Sequence, residues 1–175
     1  MTASSMDPPP NAEPTLRISR KERVGLLLHR NLDKRLSRLA VWVYRRTKGR
    51  ITRLYHVDAL ALTTRGRRSG RSRTVLLQFF RDGESMILAA ANDGGETHPG
   101  WYHNLRSKPD CFVEVMGATI SVRAQELPPD EAAAWWQRIL SRDPSYERYA
   151  RATVRVIPIV RLTPCPPPSD GMDRS

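Results

Sequence analysis

Hydrophobic residues recur every three or four positions between residues 20 and 47, and Arg and Lys fill the positions between them. The apolar positions with this spacing are Leu28, Leu32, Leu36, Leu39 and Val43. A stripe of this period predicts an amphipathic helix that packs its apolar side on the rest of the protein and exposes a basic side.

After Gly49 the helical period gives way to short apolar runs that are typical of β-strands. Six strands are predicted, at residues 57–64, 73–80, 85–91, 111–116, 118–127 and 154–162. Between the second and third runs, Asp82 and Gly83 supply the positive φ angles of a tight hairpin turn. Pro158 interrupts the last run and predicts an edge position or a bulge for that strand.

Three shorter helices are predicted among these strands, at residues 100–107, 128–141 and 144–152. Because few helices interrupt them, most consecutive strands can pair as hairpins. The predicted fold class is therefore α+β and mainly β, an antiparallel barrel of six strands with helices packed on its outside.

Composition divides the chain into four parts. Residues 1–16 and 165–175 are rich in Pro, Ser and Asp, and such segments bury too little apolar surface to offset their ordering entropy. We therefore expect a disordered tail at each end, a basic amphipathic helix over residues 17–50, and a barrel domain over residues 51–164.

The net charge of +11 comes from one segment of the chain. Residues 15–55 hold 13 Lys and Arg against two acids, while the other residues carry 16 charges of each sign. A basic amphipathic helix suits an anionic lipid surface, with Trp42 and Tyr44 at the interface. A helix that is merely solvated on its basic side explains the sequence equally well. No motif that reads nucleic acid accompanies the charge, so no nucleic-acid partner is expected.

The two cysteines, Cys111 and Cys165, have no Cys or His neighbour at metal-ligand spacing, and His98 and His103 do not share a helix face. No metal site and no disulfide framework are predicted. Residues 1–16 lack the basic and apolar regions of a signal peptide, and no apolar run is long enough to span a bilayer. A cytoplasmic protein is expected.

An arginine-rich turn separates the first two predicted strands. Residues 63–73 read TTRGRRSGRSR, with five arginines and two glycines. Glycine lets backbone N–H groups converge on an anion, and the guanidinium fork matches phosphate oxygens. An anion site and a solvated hairpin turn are both consistent with this composition. The turn lacks the spacing of a nucleotide-binding P-loop.

Two aromatic clusters follow. Residues 98–104 read HPGWYHN behind a Gly-containing loop, and their aromatics can either hold a flat ring or pack the helix on the barrel. Tyr146 and Tyr149 lie three residues apart on the helix after Pro144. They can donate a proton, line a pocket, or form a half-buried pair.

In order and spacing, these motifs resemble the deazaflavin-dependent nitroreductase family, small split-barrel oxidoreductases that use coenzyme F420. The matching pieces are LTTRGRRSGRSR, RDG, ILAAAND, HPGWYHNL followed by KP, PSYERY and IPIVRL, within roughly residues 55–164. The resemblance implies a six-stranded split β-barrel with peripheral helices. It also implies hydride transfer from the reduced deazaflavin to an electron-poor acceptor such as a quinone or a nitroaromatic.

The resemblance further implies where the coenzyme lies. The basic turn would bind its phosphate and acidic tail, the second strand and the end of the third would flank the ring, and residues 100–104 would cover it. The coenzyme-binding residues implied are Arg67, Arg68, Ser69, Arg73, Thr74, Val75, Leu76, Leu77, Gln78, Ala90, Ala91, Asn92, Asp93, Gly100, Trp101, Tyr102, His103 and Asn104. Tyr146 would be the catalytic hydrogen-bond or proton donor, and Tyr149 would line the substrate pocket.

Four positions depart from the family pattern. Asn92 and Asp93 replace a common Ser-Lys pair, so an acid stands where a cation is expected, and Gln78 and Asp143 replace pocket aromatics. Coenzyme binding is expected to survive these changes better than the usual acceptor preference.

Two other functions stay open at this point. One is a split-barrel oxidoreductase that binds FMN, and the other is a non-catalytic module on a membrane surface. For a quinone reductase, peripheral attachment to the inner face of the cell membrane through residues 17–50 would bring the enzyme to its acceptor.

Overall fold

A computed structural model of the chain describes residues 34–53 and 57–166. Several of the sequence predictions lie outside these described residues. They are the tail at 1–16, the first part of the basic helix up to residue 33, and residues 167–175 of the C-terminal tail.

Seven strands and five helices make up the described residues. The strands are β1 Ala59–Arg65, β2 Ser72–Gln78, β3 Phe80–Asp82, β4 Ser85–Ala89, β5 Asp110–Val115, β6 Ala118–Glu126 and β7 Ile159–Pro164. The helices are α1 Lys34–Arg46, α2 Arg50–Arg53, α3 Gly100–Ser107, α4 Pro129–Arg142 and α5 Ser145–Arg151. A short 3-10 turn, Asn92–Gly94, lies between β4 and α3. None of these helices has the length and apolarity that crossing a bilayer requires.

The strands form one antiparallel sheet in the order β2-β1-β5-β6-β7-β4-β3. Its two edge strands, β2 and β3, are consecutive in the chain and are separated by Phe79 alone, so the sheet curls until its edges meet there. Phe79 is buried, and its N–H donates to the carbonyl of Asp58. The predicted antiparallel split barrel with peripheral helices is confirmed. The strand predicted at 73–80 is divided at this bend, which makes seven strands in place of six.

β1 is buried on both faces, which explains its unbroken apolar run. Leu60 and Leu62 belong to the core inside the barrel. Ala59 and Ala61 alternate with them and therefore lie on the outer face, where they pack with Tyr44 of α1. The small alanine side chains leave room for the phenol ring.

The helix α1 docks through a different face from the one its period predicts. Val41 and Tyr44 are buried, whereas Leu39 is 54% exposed. The Tyr44 hydroxyl donates to backbone carbonyls, 2.9 Å from the oxygen of Ala59 and 3.0 Å from that of Glu114. A leucine has no group that could make these bonds. The predicted place of Tyr44 at a lipid interface is therefore wrong, because its side chain is the anchor of the helix.

The helices α4 and α5 cover the opposite outer face of the barrel. Ile87 of β4 and Ile159 of β7 pack there with Trp135, Ile139 and Tyr146. This second cluster accounts for the continuous apolar run of β4, whose alternate residues Met86 and Leu88 belong to the barrel interior.

The last strand is shorter than predicted and is not an edge strand. β7 begins at Ile159 and pairs with both β4 and β6, so the predicted edge position or bulge is wrong. Pro158 precedes the strand, and its carbonyl accepts a hydrogen bond from Ala90. Its missing N–H therefore falls outside the ladder. Val154 and Val156 are exposed and stand apart from the sheet.

Candidate functional site

A groove of about 790 Å³ opens between α1, the β1–β2 turn and the start of α3. The helix α1 contributes Arg38, Val41, Trp42 and Arg45. The turn and its strands contribute Thr64, Gly66, Arg67, Arg68, Ser69, Ser72, Arg73, Thr74 and Val75. The α3 side contributes Pro99, Gly100, Trp101 and Asn104.

The β1–β2 turn has a fixed backbone. The Gly66 N–H donates to the Arg71 carbonyl at 2.9 Å, and the Gly70 N–H donates to the Gly66 carbonyl at 2.8 Å. A Cβ at Gly66 would lie 2.9 Å from Oγ of Ser69 and 3.1 Å from the Arg71 carbonyl oxygen, so only glycine fits there without a shift. The turn thus presents its arginine side chains from a compact frame.

Asn104 connects this turn to α3. Its Oδ1 accepts from the Arg67 backbone N–H at 3.1 Å, and its Nδ2 donates to Oγ1 of Thr64 at 3.0 Å. Asn104 and Thr64 are both buried. Since its amide is engaged at both ends, Asn104 positions the turn against the helix.

The groove is strongly positive. Arg38, Arg67, Arg68 and Arg73 line it, and none of them forms an ion pair with another residue of 34–53 or 57–166. Arg45 is the exception, because its Nε lies 2.9 and 3.0 Å from the two carboxylate oxygens of Glu114. The unneutralised guanidinium groups repel one another, and an anion held among them would relieve this repulsion.

The titration of a neighbouring histidine reflects the same positive potential. Burial lowers the pKa of His103, and the charges of Arg67 and Arg106 lower it further. A histidine beside these arginines is therefore harder to protonate than an ordinary one.

The groove brings together about half of the coenzyme-binding residues expected from the sequence. Those that line it are Arg67, Arg68, Ser69, Arg73, Thr74, Val75, Gly100, Trp101 and Asn104. Those that do not are Leu76, Leu77, Gln78, Ala90, Ala91, Asn92, Asp93, Tyr102 and His103. Leu77 packs against the barrel core and Leu76 against the Tyr44 cluster, while the Tyr102 hydroxyl donates to Glu126 at 2.7 Å.

The 92–95 segment forms a tight loop on α5, away from the groove lining. Asn92 and Asp93 have φ angles of 51° and 53°, in the left-handed region. A Cβ at Gly94 would lie 2.6 Å from that of Ala152, so this loop requires glycine where it meets the helix.

Arg155 holds this loop in place, a role that no motif in the sequence indicated. Its guanidinium donates to the carbonyls of Gly95 at 2.9 Å and Ala91 at 2.5 Å. It also lies 3.0 Å from Nδ1 of His98, which must accept because guanidinium only donates. Burial and the charge of Arg155 lower the pKa of His98, consistent with a neutral ring.

Tyr146 and Tyr149 lie in the second hydrophobic cluster and do not line the groove. Tyr146 is 1% exposed, and its ring contacts Phe80, Trp136 and Tyr149 edge to face. Burial raises the pKa of its hydroxyl well above the ordinary value, and Asp143 adds to the effect. The hydroxyl of Tyr146 is therefore harder to ionise than that of an ordinary tyrosine.

Eight of the described residues that line the groove were not among the expected coenzyme-binding residues. Thr64, Gly66, Ser72 and Pro99 lie close in the chain to expected ones, and the other four, Arg38, Val41, Trp42 and Arg45, lie on α1. Their positions offered a signal, because Arg38, Trp42 and Arg45 are spaced i, i+4 and i+7 and share one side of a helix. Within the described part of the chain, no three His, Cys, Asp or Glu side chains converge as a metal ion would require.

Comparison with known proteins gives a consistent picture. The family profile that matches residues 36–164 is that of the F420H(2)-dependent quinone reductases. An F420H(2)-dependent quinone reductase of Mycobacterium tuberculosis is 34% identical over 141 residues, which cover 78% of this chain and 95% of the relative. A solved structure of an F420-H2 dependent reductase (FDR-A) superimposes with a TM-score of 0.55 at 28% identity, covering 60% of this chain and 93% of that chain.

Proposed function

This chain belongs to the F420H(2)-dependent quinone reductase family, and we propose that it transfers a hydride from reduced coenzyme F420 to a quinone. The coenzyme would bind in the groove between α1, the β1–β2 turn and α3. The observation that carries this proposal is the set of four arginines without an ion-pair partner among the described residues, around a groove large enough for a coenzyme.

The donor set of the groove fits an anionic coenzyme with a flat ring. Arg67, Arg68 and Arg73 would hold the phosphate and the acidic tail, because guanidinium groups bind such oxygens with two parallel hydrogen bonds. Ser69 adds a hydroxyl on the same turn. Val75 and Trp101 would contact the ring system from the apolar side of the groove.

The bound coenzyme supplies a hydride, and the quinone takes it together with a proton and leaves as the hydroquinone. The residues of the chain bind and orient the two partners. Asn104 holds the arginine turn in register with α3, and α1 closes the other side of the groove.

Asp93 bears less on the coenzyme than its place in the sequence suggests. It lies on the loop beside α5 and not on the lining of the groove. Its carboxylate is therefore not among the groups that a ligand in the groove would contact.

A split barrel that binds FMN would use a phosphate site of the same chemistry, and family membership favours F420 over it. Purified protein without flavin absorption, which binds added F420 and not added FMN, is the expected result. A protein that retains FMN through purification would reverse the assignment.

The direct test is a titration with the oxidised and reduced coenzyme, followed by turnover with menadione. We expect binding at micromolar concentration and hydride transfer. Nitroaromatics are proposed as incidental acceptors. Protein that neither binds the coenzyme nor reduces menadione would refute the proposed function.

The arginine assignment needs a charge-matched comparison. Arg67→Ala with Arg68→Ala should raise the dissociation constant of the coenzyme roughly 100-fold, since each removes a hydrogen bond between charged groups. Arg71→Ala with Arg142→Ala changes the net charge equally but removes no groove residue, and it should have little effect. Equal losses of coenzyme affinity in the two double variants would mean that Arg67 and Arg68 act only through the net charge of the protein and do not contact the coenzyme.

We also propose that the outer side of α1 and α2 rests on anionic lipid at the cytoplasmic face of the cell membrane. Arg46, Lys48 and Arg50 are exposed there and have no ion-pair partner within the described residues. Each cation near an anionic surface contributes about 1 kcal/mol.

Flotation with vesicles tests the membrane contact. Arg46→Glu with Arg50→Glu should abolish flotation with vesicles containing phosphatidylglycerol, and Arg71→Glu with Arg142→Glu should retain it. Equal flotation of both double variants, or binding to neutral phosphatidylcholine vesicles, would contradict a basic lipid contact at this site.

A further inference from the structure

One side of α1 forms a wall of the groove. Arg38, Trp42 and Arg45 line it from successive turns of the helix. The adjacent side, with Val41 at the edge of the groove and Tyr44 beyond it, is buried against the barrel. Since Val41 and Tyr44 fix the rotation of the helix, the indole of Trp42 is held at the groove and not pointed at random into solvent.

Trp42 and Trp101 line the same groove in different ways. Trp101 is 8% exposed and packs at right angles to Tyr102, with ring centroids 6.3 Å apart. Trp42 is 61% exposed. Most of the Trp42 ring is therefore available to a ligand that enters after the inner part of the groove is filled.

We infer that Trp42 is the acceptor-contact residue, on which the quinone ring stacks while the coenzyme occupies the turn and α3 sides of the groove. This inference rests on the proposed function and adds the residue that determines acceptor affinity. A quinone is flat, uncharged and electron-poor, so it gains from the electron-rich face of an indole and little from the arginines. The charged coenzyme has the opposite preference, because the groove arginines without ion-pair partners attract its phosphate and acidic tail.

Three variants separate this role from others. Trp42→Ala removes the ring, and Trp42→Phe keeps a smaller aromatic face. Leu39→Ala is the matched control, since Leu39 lies on the same helix, is 54% exposed and does not line the groove. All are studied as full-length protein without lipid, with menadione as the quinone.

Three quantities are measured for each variant. The first is the dissociation constant of the oxidised coenzyme, and the second is the pair of kcat and KM for menadione. The third is the equilibrium binding of menadione to protein loaded with oxidised coenzyme, in which no hydride can be transferred. The third measurement reports the stacking contact independently of turnover.

Trp42→Ala should raise both KM and the menadione dissociation constant roughly three- to tenfold, the usual effect of losing an aromatic stacking contact. Trp42→Phe should restore most of the affinity. The coenzyme dissociation constant should stay within about twofold of the wild-type value in every variant, and Leu39→Ala should match the wild type.

Two results would overturn the inference. If Trp42→Ala weakens the coenzyme as much as menadione, Trp42 contacts the coenzyme. If it changes neither constant, Trp42 is a solvent-facing residue of α1. Failure of the proposed function would give a different result: the wild-type protein itself would bind no coenzyme or transfer no hydride. The inference about Trp42 would then fail as well.

Discussion

The contact between Asn104 and the arginine turn should determine both stability and coenzyme affinity. Asn104→Ala removes the acceptor of the Arg67 N–H and the donor to the Thr64 hydroxyl, at 3.1 and 3.0 Å respectively. Thr64 is 1% exposed and Asn104 is 8% exposed, so water does not readily replace the lost bond to Thr64.

The expected magnitude follows from these two bonds. A buried group left without its partner costs about 1–3 kcal/mol, and a partly buried hydrogen bond contributes about 0.5–1.5 kcal/mol. Asn104→Ala should therefore lower the free energy of unfolding by about 2–4 kcal/mol. Because the turn loses its tether to α3, the coenzyme dissociation constant should rise at least about tenfold, which corresponds to about 1.4 kcal/mol.

Urea unfolding followed by tryptophan fluorescence gives the stability, and a fluorescence titration gives the affinity. Asn104→Asp keeps an acceptor for the Arg67 N–H and one to which the Thr64 hydroxyl can donate, so it should lose less stability than Asn104→Ala. Ser107→Ala, at an exposed position of the same helix, should stay within about 0.5 kcal/mol of the wild type.

Two outcomes would refute the reasoning. A stability change below about 0.5 kcal/mol in Asn104→Ala would mean that the two bonds contribute little. A large loss of stability with unchanged coenzyme affinity would mean that the turn binds the coenzyme without being held by α3.

Three further predictions concern residues outside the groove. Arg155→Met removes the hydrogen bonds to Gly95, Ala91 and His98 and should lower the free energy of unfolding by about 2–4 kcal/mol. The control Arg151→Met breaks only a surface pair with Glu147 and should cost at most about 0.5 kcal/mol in the same urea assay. Similar losses in the two variants would contradict the role of Arg155. The family resemblance implies that Tyr146 donates a proton, but Tyr146 does not line the groove, so Tyr146→Phe should leave kcat for menadione and the coenzyme dissociation constant within about twofold of the wild-type values. A marked fall in kcat with unchanged coenzyme affinity would instead support the donor role and place the acceptor beside Tyr146. Burial raises the pKa of the Cys111 thiol to about 12. At pH 8 a thiol reagent should therefore label Cys165 alone in the native protein and both cysteines in urea. Fast labelling of Cys111 in the native protein would show that the barrel opens readily.

The strands and short helices were predictable because their signals are local. Alternation of apolar and polar residues located β6, the Asp82-Gly83 pair located the β3–β4 hairpin, and α3 has the predicted bounds. The bend at Phe79 was not predictable, because nothing in a continuous apolar run indicates where a strand leaves one edge of a sheet for the other.

The same distinction between local signals and long-range contacts applies to the candidate site. The sequence by itself determined the arginine turn and the aromatic segment before α3, because an anion site needs guanidinium groups and glycines close together in the chain. Only the tertiary structure decided that α1 closes the groove. That placement depends on Tyr44 fitting over Ala59 and Ala61 and reaching two backbone carbonyls, contacts between residues at least 15 apart in the chain that no local pattern records.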